Sequence, residues 1–172
     1  SEAVFNVINR ARPGMTEMQA IAMMAYAGQP QTMHPIFASG NAEINGLRSA
    51  SNRVIEYGDG VSTALGYWGS LVCRAGMMLG EVDQTYLEKY VKPYFKAIIS
   101  WYDAVKIGVT GGEIYRKVTA VFEGTGLQSS LNPSHLTSYD EWLHSPIRPG
   151  SSEQIRSGMV FQVDIIPTPL KP

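Results

Sequence analysis

The stretch GDGVSTALGYWGSLVCRAG, residues 58–76, decides how the rest of the chain is read. Asp59-Gly60 is a turn dipeptide, and Val61, Thr63 and Leu65 alternate after it at the period of a strand with one buried face. Gly66 and Gly69 bracket Tyr67-Trp68 and predict a hairpin, so the stretch reads as a strand pair. Short runs between Gly, Asn and Asp extend the β reading over residues 33–72.

Outward from the pair, the period changes to 3.6. Upstream, Ala3, Val4, Val7, Ile8 and Ala11 form a helical stripe that Pro13-Gly14 ends. Thr16 and Gln19 are spaced as a capping box, followed by Met18, Ile21, Ala22 and Ala25, with Gly28 as the expected stop. Downstream, Asp83 is placed to cap a long helix with Leu87, Val91, Phe95, Ile98, Tyr102 and Val105 as its apolar face, which Pro93 must kink or divide. Thr110 and Glu113 make a second capping box ahead of Ile114, Val118, Val121 and Phe122, and this accounts for Gly111-Gly112 without a phosphate-binding loop. In GMVFQVDIIP, residues 158–167, Met159, Phe161, Val163 and Ile165 share one face, and Val160, Gln162, Asp164 and Ile166 the other. Helices and β-rich segments in this order predict an α+β fold.

Composition narrows the function classes. Fourteen Lys and Arg against fifteen Asp and Glu argue against a nucleic-acid surface, and no apolar run approaches the ~20 residues of a membrane span. Cys73 is the single thiol, which excludes an internal disulfide and fits a reducing, cytoplasmic setting. The chain lacks an initial Met and stops at Lys171-Pro172 just after a strand-like run. The expectation is therefore a single domain over 1–172 that is a fragment, lacking a final strand and any upstream domain.

Four segments in order, RPGMTEMQA (12–20), YGDGVSTALGYWG (57–69), Ser134-His135 and SGMVFQVDIIP (157–167), resemble the pita-bread metallopeptidase superfamily of methionine aminopeptidase, aminopeptidase P, prolidase and creatinase. The resemblance implies a curved antiparallel sheet backed by helices, and a homodimer. It also implies two divalent metals held by two aspartates, a histidine and two glutamates, because clustered carboxylates repel one another unless metal neutralises them. Carried onto this chain, the aspartate positions fall at Ala64 and Leu71, the histidine at His135 and the first glutamate at Asp164. The last glutamate has no counterpart, and a further family histidine falls near Asn45 or Gly46.

One histidine and one carboxylate do not make a dinuclear centre. The expectation is a metallopeptidase-like protein without peptidase activity and without a cofactor; manganese, cobalt or zinc enters only if that mapping is wrong. A second reading is a peptide- or protein-binding module that uses the remaining cleft, with Trp142, Glu141 and Gln162 as its pocket. A third is a metal-independent, creatinase-like hydrolase in which His135 works with Asp164 or Glu141. The bland alternatives are a loop histidine bonded to a backbone carbonyl, a solvent-facing Asp164 and a Trp142 that merely packs. The run His135, Asp140, Glu141 and His144 has no helix-face metal spacing.

Overall fold

The computed structural model describes residues 1–40, 48–68, 70–139 and 142–170. They form two compact units, Ser1–Val82 with Tyr139, and Asp83–Ser138 with the segment from Trp142 onward.

In the first unit α1 (Glu2–Arg10) and α2 (Glu17–Ala22) pack on a three-stranded antiparallel sheet of β1 (Gln31–Gly40), β2 (Gly60–Tyr67) and β3 (Val72–Met77), in that order. Val4 and Val7 of α1 meet Ala20, Met24, Phe37, Ile55 and Leu65 in its core. The expected strand pair is β2 and β3, with Ala64 opposite Cys73 and Thr63 opposite Arg74. The capping box of α2 forms: Gln19 N–H donates to Thr16 Oγ1 at 3.1 Å, and Thr16 N–H to Gln19 Oε1 at 2.8 Å. The helix stops at Ala22, short of the expected Gly28. Met23, Met24 and Ala25 each donate to the carbonyl three residues back, which tightens the chain into a turn that buries Met24.

The second unit carries α3 (Gln84–Tyr86), a π-helical turn (Leu87–Val91), α4 (Lys92–Ala104) and α5 (Gly111–Ala120). Asp83 caps α3 as expected, its Oδ1 accepting from Tyr86 N–H at 3.0 Å. Pro93 neither breaks nor sharply divides the helix. Proline has no N–H and its ring collides with the carbonyl four residues back; the wide turn, closed by Lys92 N–H on Leu87 O, relieves that collision. The extra residue also rotates the buried face. The core takes Pro93, Ala97, Trp101 and Ala104, whereas Phe95 and Tyr102 of the expected stripe are exposed. α5 packs against α4.

Ile114, Val118 and Phe122 complete that core. A Cβ on Gly111 would stand 1.9 Å from Pro146 O, and one on Gly112 2.7 Å from Ser151 O, so the glycines admit the segment of residues 146–151 against the start of α5. Two antiparallel pairs finish the unit: β4 (Leu127–Ser129) with β7 (Pro167–Pro169), and β5 (Ser134–Leu136) with β6 (Phe161–Val163). The expected single last strand is thus two, because after Val163 the chain leaves β5 and joins β4. Its alternation holds: Met159, Phe161, Val163 and Ile165 pack on the core. The architecture is α+β with antiparallel sheets. Among the described residues no helix is long and apolar enough to cross a membrane.

Candidate functional site

The pairing of β5 with β6 sets His135 opposite Gln162. Asp164, two residues further, returns to the same face, held by its N–H on Pro133 O at 3.0 Å. His135 is fully buried, with Nε2 3.1 Å from Asp164 Oδ2 and Nδ1 3.0 Å from Leu136 O. Gln162 Nε2 donates to Asp164 Oδ1 at 3.0 Å. Both carboxylate oxygens are thereby engaged, and both imidazole nitrogens face oxygens. These contacts fix the ring's orientation.

Trp142 completes the cluster. Its ring centroid lies 4.3 Å from that of His135 with the planes tilted by 39°, and half of its surface is exposed. Its exposed ring therefore offers an apolar plane on the surface, with the buried His135 in contact beneath it. The structure thus brings together four of the residues singled out in the sequence: His135, Asp164, Gln162 and Trp142. Glu141, Asp140, Asn45 and Gly46 lie outside the described residues. His144 turns elsewhere, with Nε2 3.0 Å from Glu153 Oε1.

The two aspartate positions belong to the first unit. Ala64 is buried in β2 at 2% exposure, and Leu71 precedes β3, its Cδ1 3.4 Å from where a Cβ of Gly66 would be. Neither supplies a donor atom. Among the described residues no group of three or more His, Cys, Asp and Glu side chains is arranged to hold a metal ion.

Sequence reasoning missed a second polar cluster, around Glu17. This carboxylate is fully buried beneath the first unit's sheet edge, accepting from Ser39 N–H (2.7 Å), Ser39 Oγ (2.9 Å), Ser51 N–H (2.8 Å), Ser51 Oγ (2.6 Å) and Arg48 Nη2 (3.2 Å). Burial pushes its pKa up, but the hydrogen bonds from Ser51 and Ser39 outweigh it and hold the group at about 2. Next to it Arg53 grips both oxygens of Asp59 and also donates to Ser39 Oγ. The cluster pins residues 48–59 to the sheet and is structural.

The family model described as metallopeptidase family M24 matches residues 1–166. Comparison with curated proteins gives no match. Among solved structures the chain is similar to the prolidase from Pyrococcus furiosus (22% identity, TM-score 0.77, covering 94% of this chain and 51% of that one). It is also similar to the Xaa-Pro dipeptidase from Bacillus anthracis (21%, 0.78, 98% and 51%) and the X-Pro aminopeptidase from Thermotoga maritima MSB8 (19%, 0.76, 94% and 49%). The chain spans about half the length of these structures.

Proposed function

From the premise that the chain belongs to metallopeptidase family M24 and has its pita-bread fold, we propose that it is a peptidase-like protein, of the Xaa-Pro or methionine aminopeptidase type, that has lost metal-dependent catalysis. The observation that carries this reading is the apolar pair Ala64 and Leu71 at the positions where the family resemblance calls for aspartates. A divalent ion held in water takes three or more protein ligands with a supporting shell. His135 and Asp164 offer two, and both already have partners inside their own unit. On this reading manganese, cobalt and zinc are not cofactors, and no step of chemistry runs through them.

What the scaffold retains suits binding. Half-exposed Trp142, backed by His135 and the Gln162–Asp164 pair, gives an apolar plane with polar groups behind it. That combination fits a peptide or a protein segment as ligand. The near-neutral charge argues against a nucleic-acid partner, and the single thiol suits a cytoplasmic setting.

The 3.1 Å approach of His135 to Asp164 favours one second reading, a metal-independent hydrolase in which Asp164 orients His135 as general base. Full burial of the imidazole weighs against it, because a base must reach the proton it takes. Both readings meet one experiment. The chain and a His135→Ala, Asp164→Ala double variant are equilibrated with manganese, cobalt and zinc, desalted and analysed for metal, and then assayed on Xaa-Pro and Met-Xaa peptides with and without chelator. The expected result is no stoichiometric metal and no turnover by either. Stoichiometric metal that the double variant loses would overturn the proposal. Turnover that survives chelation but not the double substitution would establish the second reading.

A further inference from the structure

Helices α4 and α5 leave a shallow groove of about 500 Å³ between them. Small side chains line it, Ser100 and Ala104 from α4 and Ala120 from α5. Ser100 Oγ donates to Lys117 O at 3.1 Å, which ties the two helices together there. Ile99, 59% exposed, is the single large apolar residue of the lining. Three charges complete it. Lys96 and Asp103 stand seven residues apart on α4, about 10 Å along its axis, and Lys117 belongs to α5. Among the described residues none of the three makes an ion pair.

We propose that this groove takes an acidic amphipathic helix of a partner protein, lying antiparallel to α4. The lining selects a helix. Its small residues let a third helix come close to the first two, and Lys96, Ser100 and Asp103 recur at the four- and three-residue spacing that a helix laid in a groove meets. Ile99 is the apolar anchor for its buried face. The charges select sign and direction. Two lysines against one aspartate make the groove positive, which favours acidic side chains opposite. Lys96 lies towards the N-terminal end of α4 and Asp103 at its C-terminal end. An antiparallel helix sets its negative C-terminal end beside Lys96 and its positive N-terminal end beside Asp103, whereas a parallel one reverses both. The surface shares no residue with the cluster of His135 and Trp142.

The test is a titration of the isotope-labelled full chain, read by amide chemical shifts, with circular dichroism to confirm folding of each variant. The probes are two synthetic peptides of about 18 residues, long enough to be helical alone, with one Leu/Ala face and an outer face of Glu in one and Lys in the other. The Glu peptide is expected to shift amides from Lys96 to Ala104 and from Lys117 to Ala120, and to bind at least about tenfold more tightly than the Lys peptide. A nitroxide at its C-terminus is expected to broaden the Lys96 amide more than that of Asp103, and one at its N-terminus the reverse. Ile99→Ser is expected to weaken binding at least about tenfold, and the Lys96→Glu, Lys117→Glu double variant to prefer the Lys peptide. No shift with the Glu peptide at millimolar concentration, equal affinity for both peptides, broadening in the parallel sense, or indifference to Ile99→Ser would each overturn the proposal. So would shifts of these amides by vesicles of anionic phospholipid and by neither peptide, which would make the surface a lipid contact instead.

Discussion

Replacing Glu17 with Gln isolates the contribution of one buried carboxylate. In the folded chain it accepts five hydrogen bonds and titrates at about 2, against an ordinary 4.5. A folded pKa below the unfolded one stabilises the fold above the unfolded value, and that stability is lost as pH falls from about 4.5 towards 2. The gap corresponds to about 3 kcal/mol at neutral pH, of which about 2 kcal/mol is lost on reaching about pH 3. An amide in its place has one oxygen to accept with and turns an N–H₂ towards donors, so Glu17→Gln is expected to be at least about 3 kcal/mol less stable at neutral pH. The assay is urea unfolding of parent and variant at about pH 7 and about pH 3. Carboxylates common to both chains cancel in the double difference. The parent is expected to lose about 2 kcal/mol more than the variant between the two pH values; equal losses would refute the reasoning.

Other substitutions probe the second unit by the same assay. Gly111→Ala is expected to destabilise by about 3 kcal/mol, against the ~1 kcal/mol that helix propensity alone would add, because its Cβ meets a carbonyl at 1.9 Å; Gly76→Ala, with open space around it, serves as the near-neutral control. Ala97→Leu is expected to cost about 1–3 kcal/mol, whereas Ile99→Ser should stay within about 0.5 kcal/mol. The reverse order would mean that α4 buries the other face. Asp164→Ala is expected to cost about 1–3 kcal/mol by stripping partners from His135 and Gln162, and Asp164→Asn less; no difference between them would show that the pair is not formed in solution.

What the sequence makes legible follows from how far apart the interacting atoms lie along the chain. The capping boxes at Thr16 and Thr110 and the alternation from Met159 to Ile166 are local, and residue type alone specifies them. The hairpin of β2 and β3 is nearly as local. Pro93 announces a disturbance but not its kind, since the choice of a π turn depends on what α5 offers to the rotated face. Glu17 reads as an ordinary first-turn glutamate, because its donors arrive from residues 22 and 34 positions away. The contact of His135 with Asp164 was within reach only through a family resemblance. Nothing local in Ser134-His135 states that β6 will be its neighbour.

The π turn at Leu87–Val91 acts as a phase adjuster between two lengths of helix. It holds one residue more than an α turn, and each residue of an α-helix advances the azimuth by about 100°. Downstream, Ala97, Trp101 and Ala104 are locked in the core, so excising one residue from the turn would swing the upstream end instead. Tyr90 would be carried off the core, and the tilted ring pair it forms with Tyr86 would face a new direction. Chain length in this short window therefore sets an angle, and a single-codon insertion or deletion there acts as a rotation of the helix's entry rather than as a loss of residues.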